Sequence, residues 1–217
     1  MKNQVISLIK KELLLEWRQK FALSGVLLHV VAMVFVVYLS LKILNAPTWN
    51  AIFWLVLLFS SIGAIAKSFI SEHRGLTLYY YSIAPAKAII VSKLIYNIAL
   101  MTLLSAVCFI VYTALIGNFA AHFALYLLCL WMGCIGFSAV FTLLSAISAK
   151  ASNSNGLMPV LSFPLLIPTI MVAIKASKKA MDGIDVSLIV PDLLVLSAIN
   201  LLIIGLAYVL FPFLWKD

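Results

Sequence analysis

Six apolar runs, near residues 22–44, 51–67, 88–116, 120–149, 156–176 and 188–213, occupy most of this chain of 217 residues. A hydrocarbon layer about 30 Å thick is crossed by roughly 20 apolar residues in a helix. Each run is therefore a candidate span, and too little chain remains between them for a separate soluble domain. Hydrophobic residues make up 65% of the chain and charged residues only 10%, against about a quarter charged in soluble domains, which excludes a water-soluble fold. In lipid the backbone must satisfy its own hydrogen bonds, and a single run does so only as a helix. The expectation is an all-α integral membrane protein with about six transmembrane helices. The third and fourth runs exceed what a bilayer requires, so those helices are expected to tilt or project beyond it.

Residues 1–20 read differently. Ile6, Ile9, Leu13 and Trp17 recur at spacings of three and four, with Val5, Leu8 and Leu14 beside them, while Lys2, Lys10, Lys11, Glu12, Arg18 and Lys20 occupy much of the rest. This pattern fits an amphipathic helix lying in the membrane interface. A signal peptide fits less well, because the charged region is too long and the run behind it is long enough to span. The division expected is an interfacial helix over 1–20 and one six-helix transmembrane domain over 21–217.

Lysine and arginine set the orientation. With the N-terminus in the cytoplasm, the inner segments hold Lys2, Lys10, Lys11, Arg18, Lys20, Lys67, Arg74, Lys87, Lys93, Lys150 and Lys216, and the outer ones Lys42, Lys175, Lys178 and Lys179. Eleven against four places both termini inside. The last outer loop fits least, since it is expected to carry Lys178 and Lys179. The net charge of +8 thus serves orientation and does not point to nucleic acid.

Much chemistry is missing. Lys42, Lys67 and Lys93 lie near expected helix ends, where lysines snorkel to the interface, and the deep interior shows Asn97 and Asn200. A charge at mid-membrane costs about 2.5–3.5 kcal/mol on insertion scales and is kept for function, so the scarcity of such groups argues against a self-powered ion-coupled transporter. Gly63-Ala-Ile-Ala-Lys67-Ser68 lacks the spacing of a phosphate loop and lies in an apolar run. No HExxH or GxSxG occurs, and His29, His73 and His122 are dispersed over a span, an inner loop and an outer turn. Cys108, Cys129 and Cys134, odd in number and without a CxxC, form no disulfide or haem-attachment pattern. No catalytic residue and no metal site is expected.

Two stretches carry more information. The inner loop 68–87 runs through Glu72, His73, Arg74 and Gly75 into Leu76-Thr-Leu-Tyr79-Tyr-Tyr-Ser-Ile-Ala-Pro85, as a short interfacial helix stopped by a proline would. It reads either as a connector with interfacial tyrosines or as a docking element for a cytoplasmic partner. The fifth run holds Pro159, Pro164 and Pro168, each without an amide donor. That helix is expected to be kinked and packed against protein, as a bent structural helix or as a mobile gate.

An amphipathic N-terminal helix, six spans and a structured first inner loop resemble the permease subunits of ABC transporters of the ABC-2 export type. More closely, Phe69-x-x-Glu72-x-x-Gly75 with Pro85 and Lys93, and the stretch Gly156-Leu-Met-Pro159-Val-Leu-Ser-Phe-Pro164-Leu-Leu-Ile-Pro168, are similar to the haem exporter protein B family of cytochrome c maturation. One departure is that Leu76, Thr77 and Leu78 stand where many members carry an acidic residue. The resemblance implies a non-catalytic permease subunit in the bacterial cytoplasmic (inner) membrane, powered by a separate cytoplasmic ATPase. It implies haem-handling membrane proteins and a periplasmic haem chaperone as partners, a second copy of the chain, and haem as the handled substrate. The candidates for ATPase docking are then Glu72, His73, Arg74, Gly75, Tyr79 and Pro85. Pro159, Pro164 and Pro168 are the gate candidates, and His122 is a candidate haem ligand, imidazole being a common axial ligand of haem iron. The competing readings are a permease of the same type for a lipid, glycan or drug, a self-contained channel or facilitator, and a membrane-embedded enzyme.

Overall fold

The computed structural model describes residues 2–18, 20–40, 45–65, 84–150 and 154–216. Among these the chain forms seven α-helices: α1 (Lys2–Arg18), α2 (Lys20–Ser40), α3 (Ala46–Ile65), α4 (Ala86–Ile116), α5 (Phe123–Lys150), α6 (Ser154–Met181) and α7 (Val186–Lys216). Four stretches are long and apolar enough to cross a membrane: Ala46–Ile65, Ala86–Ile116, Phe123–Ala149 and Val186–Leu214. α2 contributes a shorter apolar stretch, Ser24–Ser40, and α6 ends in a turn bearing Lys178 and Lys179. α4 has 31 residues and is about 46 Å long at 1.5 Å per residue, well beyond a hydrocarbon layer of about 30 Å.

Local signals fix where the helices begin and end. Asn45 caps α3, its side-chain oxygen accepting from the Thr48 N–H at 3.0 Å. Pro85 precedes α4 in an extended conformation, and its carbonyl accepts from Ala88 at 2.8 Å. α4 stops at Gly117, whose φ of 97° lies in a region that side chains disfavour. α6 closes with Gly183 at φ 69° and an Ile184 N–H bond to the Lys179 carbonyl at 3.1 Å, a Schellman-type ending.

Contacts between helix ends set their directions. The Trp49 indole at the start of α3 donates to the Gly117 carbonyl at the end of α4, at 3.0 Å. Tyr126 near the start of α5 donates to Asn50 at 3.2 Å. The Ala121 and His122 amides bond to Met181 and Ala180 at the end of α6. One end of the bundle thus gathers the starts of α3, α5 and α7 and the finishes of α4 and α6. α1 meets α4 near its start, at the other end.

α5 is the hub, packed by α3, α4, α6 and α7. Gly133 and Gly136 make this possible. A Cβ on Gly133 would overlap the Trp54 ring, and one on Gly136 would lie 2.6 Å from the Asn200 side-chain oxygen and collide with Thr169. Small residues that let helices approach closely are the usual device where the hydrophobic effect cannot separate helix from lipid.

The core is mainly apolar, but polar residues are buried with it and large apolar ones are left on the outside. Asn50, Ser60, Ser61, Asn97, Ser138, Thr142, Ser145, Ser177 and Asn200 are buried, while Leu28, Phe35, Leu39, Ile110, Met171, Leu194, Leu201 and Phe213 are exposed. Helices apolar on every side suit protein on one face and lipid on the other.

Two expectations need correction. The fifth run continues beyond residue 176 to Met181, so Lys175, Lys178 and Lys179 lie on α6 and the last connection is only residues 182–185. Lysine has good helix propensity, and Gly183 supplies the stop. Lys93 does not snorkel. It is 1% exposed and paired across helices, because α1 lies over it and brings a carboxylate; Lys42 and Lys67 lie outside the described residues.

Candidate functional site

At the Glu12 end, α1 is docked on α4 by two polar contacts. Glu12 and Glu16 are one turn apart and so project from one face of α1, while Lys93 and Tyr96 share a face of α4 by the same rule. The Lys93 ammonium lies 3.2 Å from the Glu12 carboxylate, and the Tyr96 hydroxyl donates to Glu16 at 3.0 Å. Lys11 also approaches Glu12, at 3.0 Å. On the far side of the start of α4, the Lys87 ammonium sits 5.1 Å from the ring centre of Tyr208 in α7, within cation–π range. The start of α4 is thereby tied to both α1 and α7.

Pro85 stands at the head of this helix, next to the buried Ala84. The other docking candidates, Glu72, His73, Arg74, Gly75 and Tyr79, lie outside the described residues.

At the Trp49 end, a buried polar network joins three helices. The Ser177 hydroxyl of α6 accepts from the Trp54 indole at 2.9 Å and from the Asn50 amide at 3.0 Å. The same Asn50 amide reaches the Ile174 carbonyl, and its oxygen accepts from Tyr126 at 3.2 Å. Aromatic rings pack around it: Trp49 meets Phe53, Tyr112 and Tyr126 with centroids 4.9–5.8 Å apart, and Phe53 meets Phe109 at 5.9 Å. In the middle of the bundle Asn97 donates to Thr142 at 2.8 Å and Asn200 to the Met132 carbonyl at 2.9 Å.

Asp192, buried one residue after Pro191 in α7, pairs with Lys175 at 3.0 Å and Lys179 at 2.6 Å on α6. Lys179 also donates to the Leu188 carbonyl at 2.8 Å. These contacts staple the α6–α7 hairpin and give Lys175 and Lys179 a shared carboxylate.

His122 is exposed in the connection between α4 and α5, held through its backbone amide to Ala180. His29 is exposed on α2. The structure does not bring these two side chains into one site, and His73 lies outside the described residues. Among the described residues no group of three or more His, Cys, Asp or Glu is placed to hold a metal ion.

The proline stretch forms part of one continuous helix, α6. Pro164 and Pro168 are exposed with Phe163, Ile167 and Met171, whereas Ser162, Leu166, Thr169, Ala173, Ala176 and Ser177 are buried. The helix is packed against protein, as expected, but Pro164 and Pro168 are not on the packed face. Close approach to Gly136 selects small residues there, and a pyrrolidine ring is too bulky.

A helical bundle with leucines and phenylalanines on its outside and, among the described residues, four helices long and apolar enough to cross a bilayer is a membrane protein. The chain belongs to the CcmB family: the model of that family, CcmB protein, matches residues 3–212. This is the haem exporter B family that the Glu72–Gly75 loop and the proline stretch resemble. Neither the curated proteins nor the solved structures contain a match to the chain.

Proposed function

We propose that this chain is the membrane permease subunit of an ABC transporter that acts in haem export or delivery for cytochrome c maturation. The carrying observation is the family match over residues 3–212. On this reading α2 to α7 are six spans, α1 lies on the cytoplasmic face of the bacterial inner membrane, and both termini are cytoplasmic. The alternating helix directions and the lysine and arginine distribution support that arrangement. ATP hydrolysis belongs to a separate cytoplasmic subunit, which docks on the loop that ends at Pro85, near the start of α4. Haem-handling membrane proteins, a periplasmic haem chaperone and a second copy of the chain complete the assembly.

Purification of the tagged chain from native membranes, with crosslinking before solubilisation, tests this. A P-loop ATPase together with haem-handling proteins is the expected result, with loss of covalent c-type haem when the gene is deleted. An ATPase with normal c-type haem would keep the permease and change its substrate to a lipid, glycan or drug. Absence of any ATPase would overturn the reading. Within the complex, Glu72→Ala and Gly75→Asp are expected to weaken ATPase association while leaving membrane insertion intact.

A further inference from the structure

The N-terminal helix is docked by its acids, and this decides what it shows to its surroundings. Residues 1–20 contain two acidic residues, Glu12 and Glu16, and both face α4, held by Lys93 at 3.2 Å and Tyr96 at 3.0 Å. Val5, Leu8 and Ile9 are half-buried on the same side. The opposite side carries Ile6, Lys10, Leu13 and Leu14, all exposed. At 100° per residue, Ile6 and Leu13 form one edge of that side, Lys10 follows, and beyond it Asn3, Ser7, Lys11 and Gln4 form a second edge that the exposed Leu14 and Leu15 interrupt toward the C-terminal end of the helix. Protein on one flank and an outward face of exposed Ile6, Leu13, Leu14 and Leu15 interrupted by one lysine is the arrangement of a helix lying in a headgroup layer.

We propose that this face of α1 binds the headgroups of anionic phospholipid, with Lys10 as the contacting cation and the Ile6–Leu13 edge inserted beneath it. Charge complementarity selects the occupant. With both carboxylates turned toward α4, the exposed face presents a cation and no acid. An acidic protein surface would complement Lys10 but would leave Ile6 and Leu13 against polar groups, whereas a lipid leaflet matches both. The clamp on α4 fixes the rotation of α1 about its own axis and so keeps this face outward. The inference goes beyond the permease reading, needing only that α1 lies at a membrane.

Cys108, Cys129 and Cys134 are buried, so a fluorophore can be placed selectively through Ser7→Cys in the full chain. The labelled protein is reconstituted in nanodiscs of neutral lipid doped with nitroxide-headgroup phosphatidylglycerol or phosphatidylcholine, and quenching is compared. Stronger quenching by phosphatidylglycerol is expected, falling about fivefold in Lys10→Gln, the effect of one basic side chain at an anionic surface, and fading with added salt. Lys178→Gln, at the other end of the bundle, should retain the preference. Equal quenching by the two lipids overturns the proposal, as does a preference that survives Lys10→Gln. Quenching by neither lipid overturns it too, and places a protein on this face. ATPase association measured on the same preparations reports separately on the permease reading.

Discussion

Lys93 of α4 and Glu12 of α1 lie 3.2 Å apart with side-chain exposures of 2% and 14%, an ion pair closed off from solvent between an N-terminal helix and a long bundle helix. Desolvating such a pair costs free energy that the attraction only partly offsets, and taking away the Glu12 charge removes that attraction while Lys93 stays buried. Glu12→Gln is therefore expected to destabilise the protein by about 1–3 kcal/mol. The double variant Glu12→Leu with Lys93→Met should recover most of that loss. Thermal unfolding in detergent checks both; a double variant no better than the single one would show that the pair itself holds the junction.

Amine chemistry offers a second check on charge placement. Lys178 is exposed and should acylate readily, whereas Lys93 should react only after Glu12 is replaced. Lys175 and Lys179 should react faster in Asp192→Asn, which removes their shared carboxylate. Peptide mapping after brief treatment with a small membrane-permeant acylating reagent reads all four positions. Lys175 is largely exposed, so losing its half of the cluster should change stability little.

Glycine substitutions separate packing from helix propensity. Gly136→Ala places a methyl group against Asn200 and Thr169, and overpacking of this kind costs about 1–3 kcal/mol. Gly133→Ala meets the Trp54 ring and should behave alike. A Cβ on Gly205 meets nothing within 4 Å, so Gly205→Ala should be neutral or stabilising by up to about 1 kcal/mol, the ordinary preference for alanine in a helix. Melting temperatures of the three variants, measured side by side, give the comparison.

Ser177 holds the network at the Trp49 end. Ser177→Ala leaves the buried Trp54 indole N–H without its acceptor, while Asn50 keeps Ile174 and Tyr126. The expected cost is roughly 1–3 kcal/mol, with a change in tryptophan emission that Ser187→Ala, at an exposed position on α7, should not produce.

Lys93 shows where reading the sequence stops. Its place near the start of an apolar run suits a snorkelling lysine, because nothing nearby in the chain reveals that Glu12, 81 positions earlier, covers it. Asp192 likewise looks like a stray acid beside Pro191 until α6 folds back to bring Lys175 and Lys179 to it. Asn50 and Ser177 are 127 positions apart, and neither carries a local signal of pairing. Asn97 and Asn200 were visible as interior polar residues, since an amide inside an apolar run stands out, but their partners Thr142 and Met132 were not.

Composition and periodicity alone decided that the chain is helical and belongs in a bilayer, because lipid admits almost no other solution for runs of about 20 apolar residues. The mixed apolar and charged pattern of residues 1–20 supports the proposal that this helix lies outside the apolar spans. Two short motifs sufficed to point to the family. Tertiary structure alone decided which face of each helix meets protein. In an all-round apolar helix every face is equally acceptable to lipid, so the choice rests on shape and pairing between distant residues: Gly133 and Gly136 admitting Trp54 and Thr169, Glu12 reaching Lys93, and small residues turning Pro164 and Pro168 outward.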